Sequence, residues 1–328
     1  MTGRLLGLSA GAPGGSAEIL LKEALQAAQN QISQSQSSPN QSSPNPSSPN
    51  QSGDALGKVQ IDLIRLEELH LPSGPEPGEP DDAWWFWEQL LAADGLIVSA
   101  PIYSRTVPAR LKLLVDRLLG PNADRAIVER LLELRSRGEE PAMAFRADER
   151  VLRSRVAGFI AVGGARTPQW QALALPVMHL LTFSMQTAVV DQFVVGGAGT
   201  PQSIVLDPDA LARAARLGAH VATQLGRAFE EAEYAGEPGL CPLCHLDVVE
   251  LHGRSVTCAT CGAQGRLDDD FAVEWTDLTT SVLTMDDKRQ HYEEILQTAQ
   301  QHAQVRAEIT ERASHYRGYD PILRPDGR

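Results

Sequence analysis

The chain has 328 residues, 42% of them hydrophobic and 22% charged, and a formal net charge of −13. That length holds one large domain or two smaller ones, and the apolar share can bury a core, which excludes a wholly disordered chain. The acidic balance argues against broad attraction to nucleic acid or anionic membrane, no run approaches the ~20 apolar residues of a spanning helix, and the first residues lack a secretory apolar region, so a cytoplasmic protein without nucleic-acid or membrane partners is expected.

Arg4 to Leu8 predicts a short strand, ended by the small-residue turn Ser9-Ala10-Gly11-Ala12-Pro13-Gly14-Gly15-Ser16. Residues 17–28 follow with helical spacing (Ile19, Leu20, Ala24, Leu25), and Ser16 is placed as their N-cap. Residues 29–53 are dominated by Gln, Asn, Ser and Pro, with Ser-Ser-Pro-Asn at 37–40, 42–45 and 47–50. Such a segment has too little apolar surface to offset its ordering entropy, so a disordered insertion is expected there. A strand is predicted over 59–66, a helix from Asp81 or Asp82 to Ala93, a buried strand over 96–100 and a helix over 107–119. Residues 120–153 read as a charged, mostly helical surface excursion. A strand over 156–162, a helix over 170–183, a strand over 187–195 and a helix over 209–232 complete the alternation, which implies a doubly wound parallel α/β sheet. The rhythm stops there. Residues 237–276 form a small module of short β-like runs (246–251, 271–275), and 280–328 a polar helix (285–315) with a tail.

In an open α/β sheet, ligands bind outside the carboxyl ends of the strands. Three turns leave those ends. The first, Ser9 to Ser16, leads into a helix N-terminus, where backbone N–H groups and the helix dipole favour an anion; an ordinary Gly-rich turn reads the same way. It matches neither Gly-x-Gly-x-x-Gly nor a P-loop. The second is Pro101-Ile102-Tyr103-Ser104-Arg105 and the third Gly163-Gly164-Ala165-Arg166.

The stretch Ala93 to Tyr103, followed by Val107-Pro108-Ala109-Arg110-Leu111-Lys112 and Val115-Asp116-Arg117, resembles the flavodoxin-like NAD(P)H-dependent FMN reductase family. Leu6-Gly7-Leu8-Ser9, the helix around Leu20 to Leu25, and Phe159 to Gly164 look like its phosphate loop, first helix and third flavin loop. The resemblance covers about residues 4–228. It implies a five-stranded sheet in order 2-1-3-4-5, with FMN phosphate at Ser9, Gly11, Gly14, Gly15 and Ser16. The isoalloxazine ring would lie against Pro101, Ile102, Tyr103, Ser104, Arg105, Gly163, Gly164, Ala165 and Arg166. NAD(P)H would be the co-substrate, and a small molecule such as a quinone or free flavin the electron acceptor. Homo-oligomers are common among the proteins it resembles. The flavin carries the redox chemistry, so no side chain is assigned as acid or base. Unlike the family's first loop, this one has no basic residue between Ser9 and Lys22. Arg105 and Arg166 are the cations placed to compensate, near N1/O2 of the flavin or a nicotinamide phosphate, or else they are solvated loop arginines. Tyr103 stacks near the ring or is a half-buried loop aromatic. Trp84, Trp85 and Trp87 are expected to pack a core, and His179 to be a core histidine.

All four cysteines of the chain lie in Cys241-x2-Cys244-x13-Cys258-x2-Cys261, which resembles a zinc ribbon with rubredoxin-like knuckles. The set reads as a metal site. Zinc is favoured over iron because the 13-residue gap is short for a rubredoxin and His245 stands where that fold has Gly. Iron would make the protein an electron carrier, and an empty flavin site would leave a zinc-ribbon scaffold. His245 and His252 are expected beside the site or on the surface, not as ligands.

Overall fold

Strands β3 (Gly95–Pro101) and β4 (Val156–Val162) are buried along nearly their whole length, as central parallel strands covered on both faces should be. With β1 (Gly3–Ser9), β2 (Val59–Arg65) and β5 (Ala188–Val195) they form one parallel sheet in the order β2-β1-β3-β4-β5. This is the flavodoxin-like winding expected. The computed structural model describes residues 3–37, 58–74, 78–118, 124–143, 146–319 and 321–323.

On one face, α1 (Ser16–Ser37) and α6 (Pro208–Gln224) cover Leu5, Ile97 and Ile160. On the other, α2 (Ala83–Ala92), α3 (Ala109–Leu118) and α5 (Ala174–His179) cover Leu6, Leu8, Val98 and Phe159. α1 and α6 come close because of Gly218: a Cβ there would lie 1.8 Å from the carbonyl oxygen of Ala24. Beneath α6, Gly158 leaves room in β4 for Leu217 and Val221.

Several boundaries differ from the sequence reading, each for a physical reason. α1 runs to Ser37, nine residues into the segment expected to be disordered, carried on by Ala28 and Ile32 packing under it; residues 38–57 lie outside the described residues. The 120–153 region is more than a surface excursion. Its helix α4 (Arg125–Ser136), capped by Asp124 on the N–H groups of Ala126 and Ile127, buries Ala126, Ile127, Val128, Leu131 and Leu134. α5 spans only 174–179 rather than 170–183, and α6 stops at Gln224, with Gly226 just beyond in the left-handed region. Of the three tryptophans expected to pack a core, Trp87 does, while Trp84 and Trp85 are about half exposed.

The C-terminal part holds an antiparallel sheet of β6 (Val249–His252), β7 (Ser255–Cys258), β8 (Gln264–Leu267) and β9 (Val273–Asp277). Two helices follow, α7 (Met285–Gln304) and α8 (Arg306–Arg317), where one was expected; the break falls at Val305. Cys241, Cys244, Cys258, Cys261, Leu246 and Leu283 join the same apolar core as Phe159, Leu175 and Met178. The cysteine module therefore covers sheet surface that the short α5 leaves open.

Candidate functional site

The first turn is held at both ends. Ala10 N donates to Ser99 O and Gly15 N to Ala12 O, while Gly14, at φ 70°, takes the left-handed conformation the turn needs. Gly11 is buried because a Cβ there would meet Pro101 Cδ at 3.1 Å, so the first and second loops touch. Ser9 and Ser99 are register partners on β1 and β3, and Ser16 opens α1. The hydroxyl oxygens of Ser9, Ser16 and Ser99 are all buried, and none has a hydrogen-bond partner. Buried polar atoms without partners are costly, and three around one helix start mark a place built for an acceptor-rich group. Ser99 was not foreseen; its signal lies only in the strand register.

The second loop is a tight hairpin. Tyr103 and Thr106 exchange both backbone hydrogen bonds, and Ser104 (φ 48°) and Arg105 (φ 80°) between them are non-glycine residues in the left-handed region. Such strain persists only where the surroundings impose it, and it concentrates at functional sites. The third loop supplies the imposition. Arg105 Nε donates to Gln169 O at 2.7 Å, Leu173 N to Arg105 O, and Thr106 Oγ1 to Leu173 O. Gln171 Nε2 in turn holds Ala165 O at 2.6 Å, and Gly163 is bonded to Val195 at the end of β5 and to Ala198 beyond it. Gly164 comes so close to Gly199 that a Cβ would sit 3.1 Å from that residue's Cα. The structure thus brings all three expected loops to one rim of the sheet.

The two compensating arginines are placed differently from one another. Arg105 spends its Nε on a neighbouring carbonyl, and Arg166 lies over Gly197, whose Cβ would fall 2.8 Å from its Cζ. Tyr103 is 58% exposed, not half-buried, and with Trp170 and Leu173 it leaves an apolar lip on these loops. Charge enters the first loop from another direction. Glu18, in the first turn of α1, is fully buried; it accepts from Arg65 Nε (2.9 Å) and Nη2 (3.0 Å), pairs with Lys22, and takes the N–H of Gly14. Arg65 ends β2 as the register partner of Ser9. The Arg65 hydrogen bonds pull the Glu18 carboxyl down to about 2.

That shift carries a sign. Glu18 contributes stability that is fully present above its unfolded pKa near 4.5 and is lost as pH falls toward 2. Thermal melts should therefore show wild type above Glu18→Gln at neutral pH, with the gap closing between about pH 4.5 and 2. A gap independent of pH would mean that the carboxylate charge contributes nothing.

In the C-terminal module, two knuckles match bond for bond. Cys241 N donates to Leu246 O and His245 N to Cys241 O; Cys258 N donates to Ala263 O and Gly262 N to Cys258 O. His245 (φ 57°) and Gly262 (φ 85°) fill the same left-handed position, and the histidine is held there by its ring stacking on Tyr234 at 3.6 Å. The four sulfurs lie within 4.8 Å of one another, with Cys241 Sγ to Cys261 Sγ 3.6 Å and Cys244 Sγ to Cys258 Sγ 3.4 Å. Tetrahedral corners about 2.3 Å from a centre are roughly 3.8 Å apart, so the cluster is compatible with a metal. His252 is exposed on β6. Behind the knuckles, Gln192 Nε2 donates to Cys244 O at 2.8 Å, and its Oε1 meets His179 Nε2 at 2.7 Å. His179 is the core residue expected, and burial pushes its pKa down to about 4, so its ring is neutral at physiological pH.

A separate cleft of about 360 Å³ lies between α4 and α7, lined by Asp124, Phe183, Lys288 and Tyr292 among others, and by none of the loop residues. Lys288 is buried there with its ammonium donated to Val282 O. That bond ties the first turn of α7 to the segment just before it.

Residues 4–200 match the family described as NADPH-dependent FMN reductase. The chain belongs to this family. It is 33% identical over 320 residues to the flavone synthase cfoJ of Aspergillus candidus, covering 90% of each chain. A solved structure named flavone reductase superposes with a TM-score of 0.76 over 98% of this chain and 100% of that one, at 24% identity, which shows a shared fold. FMN and NADPH are the family's cofactors, and the first loop fits the former: a phosphate ester offers the acceptors that the hydroxyls of Ser9, Ser16 and Ser99 lack. Among the described residues no helix is long and apolar enough to cross a membrane.

Proposed function

We propose that this FMN reductase family member moves reducing equivalents between NADPH or NADH and a flat aromatic acceptor of the flavone class, by way of FMN held on the three loops. The observation that carries the cofactor reading is the set of unpartnered buried hydroxyls at Ser9, Ser16 and Ser99 beside the start of α1. The relative named flavone synthase, similar along nearly the whole chain, supports flavones as the class of molecule: its named product is the oxidised member of the pair, which is the member that accepts electrons when they run from NADPH. The exposed apolar lip of Tyr103, Trp170 and Leu173, which a planar apolar molecule would cover, supports the same class.

FMN, when bound, supplies the two-electron chemistry. Gly11 and the three serines would bind its phosphate, while Gly14 and Gly15, whose N–H groups are held by Glu18 and Ala12 O, shape the turn rather than contact it. Pro101 to Arg105, braced by Gln169 and Leu173, and Gly163 to Arg166, braced by Gln171, present backbone to the ring. The bracing keeps the ring slot preformed, so little ordering is left to the moment of binding. Arg166 lies on the third loop as a cation for a phosphate or phenolate.

At the cysteine cluster we propose zinc in a structural role. All four sulfurs are at most 1% exposed and packed into the main core, which suits a closed site that staples the module to the sheet. Anaerobic titration of FMN-loaded protein with NADPH tests the main reading. The flavin's visible band should bleach, and adding a flavone should restore it. A band that never bleaches removes the reductase reading; a band that bleaches but returns only with a quinone or free flavin removes the flavone class. Elemental analysis should find one zinc per chain, and iron in its place would favour an electron carrier.

A further inference from the structure

We propose that Arg65 decides whether the first loop accepts a phosphate ester, by cancelling the charge of buried Glu18; this rests on the reading that Ser9 to Ser16 holds the FMN phosphate. Glu18 is an anion at the same helix start that would receive a phosphate, so the two compete. It lies in the first turn of α1, its side chain is fully buried, and it already holds the N–H of Gly14 within the loop. A bare carboxylate there would repel a phosphate dianion through a poorly screened environment.

Arg65 removes that obstacle. The β1–β2 register sets it beside Ser9, and its guanidinium grips both Glu18 oxygens as a fork, at 2.9 and 3.0 Å. Lys22 also reaches Glu18, but it is 56% exposed and screened by water. Arg65's second partner, Glu68, is 62% exposed. The cluster of Glu18, Glu68, Arg65 and Lys22 is neutral as it stands. Without Arg65 it carries one net negative charge, and the buried member of that set is the one touching the loop. No Lys or Arg lies between Ser9 and Lys22, so the neutralising charge comes from the adjacent strand.

Comparing FMN with riboflavin isolates the phosphate. Binding of each to flavin-free protein, read from flavin fluorescence, should show wild type preferring FMN. Arg65→Gln should weaken FMN at least about tenfold while changing riboflavin less than about twofold. Arg65→Lys should keep most of the preference, since the charge remains. The double variant Glu18→Gln with Arg65→Gln should recover FMN binding toward wild type, because neutrality is restored. Equal weakening of both flavins by Arg65→Gln, or a double variant no better than Arg65→Gln alone, overturns the proposal and leaves Arg65 a purely structural residue. If Arg65→Gln does not fold, the double variant decides: it must retain the preference for FMN, and loss of that preference overturns the proposal. A wild type that binds both flavins equally shows instead that the loop is no phosphate site, and the proposal falls with it.

Discussion

Replacing Cys258 with Ala is expected to abolish stoichiometric metal binding and to destabilise the whole chain, not only the module around it. Cys258 ends β7, is 1% exposed, and its Sγ lies 3.4 Å from that of Cys244 across the two knuckles. With three sulfurs left, a closed tetrahedral site cannot form, and buried thiols with no cation to share remain. Structural zinc contributes on the order of 10 kcal/mol to the folding of small domains, so a loss of several kcal/mol is expected here. The cost spreads because the cysteines share their core with Phe159, Leu175 and Met178, and because Gln192 of β5 is bonded to Cys244 O. Metal content per chain and the melting temperature of wild type and Cys258→Ala provide the check. A variant that melts with wild type and keeps one metal per chain would show that these sulfurs hold none.

The second large effect is expected at Gly218→Ala, far from any chemistry. The added methyl would sit 1.8 Å from Ala24 O and 2.5 Å from Ala24 C, both backbone atoms of α1 that cannot rotate away. α1 and α6 must separate, and the core of Leu20, Leu21, Leu217 and Val221 between them and the sheet opens. Overpacking of this kind costs about 3 kcal/mol, which lowers the melting temperature by roughly 6–12 °C. Gly318→Ala is the control, since nothing lies within 4 Å of its Cβ position. Comparable melting temperatures for the two variants would mean that the helices yield more easily than their packing indicates. Because α1 begins at the first loop, Gly218→Ala should also weaken FMN binding.

Much of this was legible without coordinates, for a common reason. β1, β3 and β4 are short apolar runs between turn residues; the three loops follow directly from them in the chain; and the two Cys-x-x-Cys knuckles are local motifs whose spacing encodes their geometry. Periodicity, punctuation and spacing are properties of neighbouring residues, and a sequence displays its neighbours. Helix ends were less secure. α1 continues past its expected end because Ile32 finds a buried position, and α5 falls short because Leu173 N is taken by Arg105 O before it and the chain passes into tighter turns after it, with Leu181 N on Met178 O and Thr182 N on His179 O.

What no reading of the chain alone could supply are the pairings across the sheet. Ser99 becomes part of the first loop's surroundings only because β3 lies in register with β1, and Arg65 reaches Glu18 across 47 residues only because β2 lies on the other side. Arg105, read from the chain as a cation beside the flavin or a solvated loop arginine, has its Nε bonded to Gln169 O, 64 residues away, a bracing role that neither reading contains. Composition and motif settle which chemistry a chain can carry, since those depend on residue type and local spacing. Which charge neutralises which, and which hydroxyl is left without a partner, depend on burial and on strand register, and those exist only once the crossovers have closed the sheet.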